Sequence, residues 1–295
     1  MSSYDFATTA ESRAMRPGVR DQGLFNRNSF DSQCFVITGG AGVLGFEIAR
    51  ALAACGARVA VLDLNPAPVE QAIGEAGIDP GRLICLPADV LSPESLQAAA
   101  VDVVARLGPV DGLINAAGGN KPAATASADQ PFFELSPDAL RAVSDLNLLG
   151  TILPCQVFGR LMAERGSGVI LNIASIAGIR PLTRTPAYCA AKAGIANFTQ
   201  WLAVHMAQTY SPEIRVNALA PGFFLTNQNR YLLTDEQSGA LTPRGQTILD
   251  HTPMRRFGSP PELVGAALWL LSPASSFVTG AVVPVDGGFT AYSGV

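Results

Sequence analysis

"CFVITGGAGVLGFEIARALAACGARVAVLDLN", residues 34–65, decides the fold. Its first residues are apolar and run into glycines, as a buried strand does at its end. The next stretch, "VLGFEIARALAACG", has apolar residues at helical spacing and stops at Gly56. "ARVAVLDLN" is a second apolar run, ending near Asp63. Strand, tight turn, helix and strand make a unit with two parallel strands, because the helix carries the chain back to the starting edge.

The same rhythm continues outward. "GRLICLPADV", "VDGLINAAGG", "GVILNIAS", "IRVNALAPG" and "GAVVPVDGG" read as further strands. Helices are predicted over "APVEQAIGEAG", over "SPESLQAAAVDVVARLG" behind Ser92 and Pro93, from about Pro137 to Glu164, over 186–210 and over "PPELVGAALWLLS". The expected fold class is α/β: a doubly wound parallel sheet of about seven strands with helices on both faces. It occupies one domain, residues 33–295, and residues 1–32 are expected to be a flexible extension outside the rhythm.

Composition narrows the function classes. The chain has 295 residues, 48% hydrophobic and 15% charged, enough apolar material for one large core. A net charge of −4 lacks the basic footprint of a nucleic-acid binder. No continuous apolar run has the length of a membrane span, and "MSSYDFATTAESRAMRPGVRDQG" lacks the apolar segment of a signal peptide. Five cysteines without a C-x-x-C pair fit reduced thiols in a cytoplasmic protein. Two histidines, His205 and His251, cannot make a His-rich metal site, so no metal is expected.

"TGGAGVLG", residues 38–45, stands where the first strand becomes the first helix. Glycines there permit a tight turn and a close approach of backbone to a pyrophosphate, which rests on the helix N-terminus. Gly39, Ala41, Gly42, Val43, Leu44 and Gly45 are the candidate contacts. Asp63, 18 residues after Gly45, can accept both adenosine ribose hydroxyls and would repel a 2′-phosphate. Neither Ala41 nor Leu64 offers a cation for that phosphate, so NAD is expected rather than NADP. Asp89 with Val90, and Asn115 with Ala116, Ala117 and Gly118, end the third and fourth strands, where open α/β sheets bind ligands.

"PAYCAAKAG", residues 186–194, puts Tyr188 and Lys192 on one helix face among small residues. Taken together, "TGGAGVLG", "LDLN", "ADV", "NAAGG", "NLLG", "LNIAS", "YCAAK", "VNALAPGFFLT" and "VDGG" resemble, in order, the short-chain dehydrogenases/reductases. One departure is Val43, which stands where the family's middle glycine falls. The resemblance implies a Rossmann-type fold and a catalytic tetrad of Asn147, Ser175, Tyr188 and Lys192. Tyr188 would be the general acid/base of a hydride transfer, with Lys192 and the oxidised nicotinamide lowering its pKa. Ser175 would hold the substrate oxygen, and Asn147 a backbone kink and a water. Pro221, Gly222, Phe224 and Thr226 would contact the nicotinamide half, and residues 222–252 would form a substrate lid.

The C-terminal third, with "GGNKP" and "RPLTRTPAY", is similar to the D-mannonate oxidoreductase (fructuronate reductase) group of that family. This implies NAD-linked interconversion of D-fructuronate and D-mannonate in hexuronate catabolism, and a homotetramer. Candidate substrate contacts are the cations Lys121, Arg180, Arg184 and Arg230, with Arg184 preferred for a carboxylate, and Asn120, Asn227 and Gln228 for hydroxyls. Another polyol, gluconate or sugar dehydrogenase is the alternative. A non-catalytic dinucleotide sensor on the same fold is more remote, because a sensor needs no proton path.

Overall fold

The computed structural model describes residues 30–75, 78, 79, 81–225, 233–235 and 240–294. Strands β1 (Cys34–Thr38), β2 (Arg58–Asp63), β3 (Leu83–Pro87), β4 (Gly112–Asn115), β5 (Gly168–Ile173), β6 (Ile214–Pro221) and β7 (Val282–Val285) form a seven-stranded sheet. Every neighbouring pair is parallel, in the order β3-β2-β1-β4-β5-β6-β7. The helices are α1 (Val43–Ala54), α2 (Ala67–Glu75), α3 (Pro93–Leu107), α4 (Pro137–Ser144), α5 (Gly150–Arg165), α6 (Pro186–Thr209), α7 (Pro243–His251) and α8 (Val264–Leu271).

The chain moves outward from β1 to β3, then returns to lay β4 on the other side of β1. A crevice opens at that reversal, above the carboxyl ends of the strands. Register brings the ends level: Thr38 pairs with Leu62 on one side and Asn115 on the other.

Both faces of the sheet are covered, which explains the unbroken apolar runs. Phe35, Ile37, Val59 and Val61 pack with α1 and α8, through Ile48, Leu52, Leu268 and Leu271. Val36, Ala60 and Leu62 pack with α3, α5 and α6, through Leu96, Val103, Phe158, Met162, Leu202 and Met206. Local signals set the ends of helices. Ser92 Oγ accepts from Ser95 N at 3.1 Å to open α3, and α5 stops at Gly166 with φ +72°.

Four features differ from the sequence reading. The helix expected from Pro137 to Glu164 is interrupted at Asp145–Leu149 by a π-helical segment. The domain boundary lies at or before Phe30, which is fully buried with its ring 5.5 Å from Phe35, edge to face. Residues 30–32 thus belong to the fold, and residues 1–29 of the expected extension lie outside the described residues. The lid segment holds the regular helix α7, capped by Thr242 Oγ1 accepting from Gly245 N at 3.0 Å. The last predicted helix starts as a 3₁₀ turn, Pro260–Leu263, before α8.

The run Pro137–Arg165 is long and apolar enough, by length and composition, to cross a membrane. Here its α5 part lies on the sheet, with Phe158 and Met162 fully buried, so its apolarity serves the core.

Candidate active site

A cavity of about 470 Å³ runs over the strand ends from the glycine turn to the start of α6. At one end, Gly39 takes φ +63°, and Gly42 N donates to Gly39 O at 3.1 Å. The turn is closed so tightly that a Cβ on Gly45 would lie 2.9 Å from Gly39 O. Val43 is the first residue of α1 and Gly42 its cap, with no acidic side chain in the first turn. No acidic side chain there competes for the free N–H groups of that turn, which suits it to an anion. Val43 in place of glycine leaves this path open, since a first helical position accepts a side chain.

Asp63 ends β2 at the cavity wall. Its Oδ2 accepts from Ala41 N at 3.1 Å, which ties the glycine turn to the second strand. Among the described residues lining the cavity, Lys192 is the only cation, and it lies far along the fold at α6.

The other end carries the chemistry. Ser175 follows β5, is 7% exposed, and accepts from Ala177 N at 3.1 Å. Its hydroxyl lies close enough to the Tyr188 phenol to draw the phenol's pKa down. Pro186 opens α6, so Tyr188 falls in the first turn and Lys192 in the next. Lys192 Nζ donates to Ile173 O at 2.8 Å and sits 5.6 Å from the centre of the Tyr188 ring. Gly178, in the turn after Ser175, lets this turn touch α6: a Cβ there would meet Ala193 N at 2.8 Å.

Asn147 lies inside the π-helical segment and is fully buried. Its Nδ2 donates to Val143 O at 2.8 Å and Gly119 O at 2.7 Å, while its Oδ1 accepts from Gly119 N at 3.1 Å. Thr151 Oγ1 donates to its carbonyl at 2.8 Å. The expected kink is present. The side chain clamps the loop after β4 instead of lining the cavity. A Cβ on Gly118 would lie 2.7 Å from Asn147 Oδ1 and 3.3 Å from Lys192 Nζ, so only a bare backbone fits there.

Burial sets the protonation states. It pushes the Tyr188 phenol above its ordinary range, and the Ser175 hydrogen bond draws it part of the way back. Burial also lowers Lys192 to about 8. The Lys192 ammonium bonds the Ile173 carbonyl, and desolvation is the largest influence on the phenol; the expected lowering of Tyr188 belongs to the complex with oxidised nicotinamide. Tyr188 is thus held as a proton donor.

The cavity is lined by the predicted Gly39, Gly42, Val43, Leu44, Gly45, Asp63, Leu64, Val90, Ala116, Ala117, Gly118, Ser175, Tyr188, Lys192, Pro221, Gly222 and Phe224. Three predicted cofactor contacts stand behind it. Ala41 reaches it only through Asp63. Asp89 braces the turn into α3, accepting from Leu91 N at 2.9 Å. Asn115 points into the sheet, donating to Asn172 Oδ1 at 2.8 Å and Cys155 Sγ at 3.1 Å. Of the substrate candidates, Asn120 donates to Thr125 Oγ1 at 2.8 Å, and Lys121, Arg180 and Arg184 are exposed. None of these four lines the cavity. Thr226, Asn227, Gln228 and Arg230 lie outside the described residues. The sequence reading passed over Gly119, Leu146, Ile176, Leu182 and Phe223, which line the cavity. Gly119 and Phe223 adjoin predicted contacts and could have been found by extending them.

A family model of short-chain dehydrogenases/reductases, described as enoyl-(acyl carrier protein) reductase, matches residues 39–290. The chain belongs to the short-chain dehydrogenase/reductase family. Its relatives in that family include an uncharacterized oxidoreductase UxuB of Bacillus subtilis, 45% identical over 88% of this chain and 95% of its own. A galactitol 2-dehydrogenase of Cereibacter sphaeroides is 37% identical over 89% and 96%. Among solved structures, a Haemophilus influenzae protein proposed to be a D-mannonate oxidoreductase, with bound NAD, superposes with TM-score 0.84. It is 41% identical over 91% of this chain and 98% of its own. As a short-chain dehydrogenase/reductase, the chain is an oxidoreductase whose cavity fits a nicotinamide dinucleotide: the glycine turn, the Asp63 carboxylate and the Ser175, Tyr188 and Lys192 side chains all line it. That cofactor class supplies or accepts a hydride when bound.

Proposed function

We propose that this chain is an NAD-dependent oxidoreductase that interconverts D-fructuronate and D-mannonate. The observation that carries the cofactor choice is Asp63 at the cavity wall, with no cation lining that end of the cavity among the described residues to take a 2′-phosphate. The NAD-bound relative supports it, and that relative's proposed activity supports the substrate.

In reduction, the substrate carbonyl sits between Ser175 and Tyr188. Hydride arrives at the ketone carbon, and the oxygen gains charge. Ser175 stabilises that charge by a hydrogen bond that strengthens in the transition state. Tyr188 gives the proton, and oxidation runs the same path in reverse. Lys192 holds the end of β5 through Ile173 O and places its charge beside the phenol. Asn147 fixes the loop at Gly118 and Gly119, which forms the wall opposite α6.

NADH oxidation with D-fructuronate, D-tagaturonate, 5-ketogluconate and fructose tests the reading. Turnover of fructuronate well above the others, and with NADH well above NADPH, is expected. Activity confined to uncharged ketoses would shift the assignment to a polyol dehydrogenase, the reading favoured by the galactitol 2-dehydrogenase relative. We further propose a cytoplasmic homotetramer. The five cysteines are free thiols, and α6 exposes Trp201 and Val204 at 57% and 56%, beside a stacked Phe198–Trp201–His205 row.

A further inference from the structure

In the proposed reaction Ser175 and Tyr188 act on one substrate oxygen, yet they stand on different elements. Ser175 opens the 3₁₀ turn Ile176–Gly178 after β5, and Tyr188 lies in the first turn of α6. The gap between those elements decides whether the two hydroxyls can meet on one atom.

Two contacts bear on that gap, and both involve Lys192. On one side, Lys192 Nζ donates to Ile173 O at 2.8 Å, two residues before Ser175. On the other, the turn lies directly on the backbone of α6 at Gly178. A Cβ there would stand 2.5 Å from Lys192 O, 2.6 Å from Lys192 C and 2.8 Å from Ala193 N. All three are main-chain atoms within a 24-residue helix, so none can rotate away. Gly178 is not among the glycines with positive φ. The position therefore needs a glycine for space and not for its backbone angles.

Gly178 is tied as firmly to Ser175. Its N–H donates to Ser175 O at 2.9 Å, and Ala177 N donates to Ser175 Oγ at 3.1 Å. Ile179 N and Arg180 N both donate to Ile176 O, at 2.9 and 2.8 Å, and Ser175, Ile176 and Ala177 are buried. A displacement at Gly178 is passed to Ser175, because the turn between them is bonded throughout.

We propose that Gly178 is a positioning residue for the hydride transfer: its bare α carbon, seated on the Lys192 carbonyl, sets the distance between Ser175 and Tyr188. A methyl group needs about 3.5 Å from such atoms, so Gly178→Ala should open the gap by about 1 Å. Misplacement of that size at a reacting centre costs about 10²-fold in rate. Gly178 does not line the cavity, so it acts through the serine and not on the substrate. This inference rests on the reading of the cavity as an oxidoreductase site and is independent of which ketone is reduced there.

The test is a double-mutant cycle with Ser175→Ala, using NADH and whichever of D-fructuronate, D-tagaturonate, 5-ketogluconate and fructose wild type reduces. Gly178→Ala alone should lower kcat by about 10²-fold, with KM changed far less and NADH still bound by fluorescence. In the Ser175→Ala background the same substitution should cost at least about tenfold less, because the serine it displaces is already gone. A loss of the same size in both backgrounds, or no loss in the first, would overturn the proposal and leave Gly178 a packing residue. If no ketone of the set is reduced, or if Gly178→Ala is not recovered folded, the crystal structure of wild type with NADH decides. Gly178 against Lys192 O, with the Ser175 and Tyr188 hydroxyls within hydrogen-bond reach of one point, supports the positioning role. Room for a methyl group at Gly178 overturns it. Absence of turnover by itself counts against the substrate reading alone.

Discussion

Tyr188 and Lys192 share one helix face, yet their charges are governed by different neighbours. The phenol answers to burial and Ser175; the ammonium answers to burial and the Ile173 carbonyl. Lys192 has a folded pKa of about 8 against an ordinary 10.5. Below about 8 both states are protonated and the cost of burying the charge is present in full. Between the two values the unfolded chain binds more protons, so stability rises with pH. Cys34, Cys85 and Cys155, raised by burial from 9.0 to about 11, 11 and 12, act in the opposite direction above pH 9, so the test is a difference. Across that window wild type should gain about 3 kcal/mol relative to Lys192→Met in chemical denaturation of the ligand-free protein. At the other end of the cavity, Asp63→Ala removes the charge that opposes a 2′-phosphate. KM for NADPH should fall by about tenfold or more and KM for NADH should rise, measured with one substrate throughout.

At the scale of elements, the π-helical segment shows how one inserted residue serves the site. It turns Asn147 inward, where two hydrogen bonds tie the segment to Gly119 in the loop after β4 and a third holds it to Val143 of α4. Asn147→Ala leaves Gly119 N and O without these partners, so stability should drop by about 2 kcal/mol and kcat should fall. Unfolding curves and steady-state rates read both. The segment was hidden in the sequence because one extra residue barely disturbs a helical apolar period. Asn115 was misread for a related reason. A polar residue at a strand end reads as ligand-facing, but the pleat turns Asn115 into a buried chain with Asn172 and Thr199. Phe30 was missed because a lone aromatic in a polar stretch carries no period. The helix α7 was announced by "TPRG", with a cap and a first-position proline, but its polar surroundings favoured reading a loop.

For the whole molecule, the alternation of seven strands with helices was legible because most strands are continuous apolar runs and the helices carry an apolar period, while the order of the strands in the sheet came from the structure. Most of the cavity followed from that alternation, since the motifs sit at the carboxyl ends of parallel strands. Contacts between distant segments were not legible. Asn147 reaches Gly119, 28 residues earlier, only because the loop after β4 folds against the π-helical segment, and no local pattern links them. The outer face of α6 carries the assembly prediction. Light scattering should give the mass of a tetramer, and Trp201→Glu should reduce it, because a charge then faces the stacked aromatic row.

The central claim is that this cavity transfers a hydride with Tyr188 supplying the proton. The most direct measurement is NADH oxidation with D-fructuronate by wild type and Tyr188→Phe, with NADH binding followed separately by fluorescence. The account predicts turnover in wild type, and a loss of about 10²- to 10⁴-fold in the variant while NADH still binds. A Tyr188→Phe protein that binds NADH and turns over as fast as wild type would contradict it.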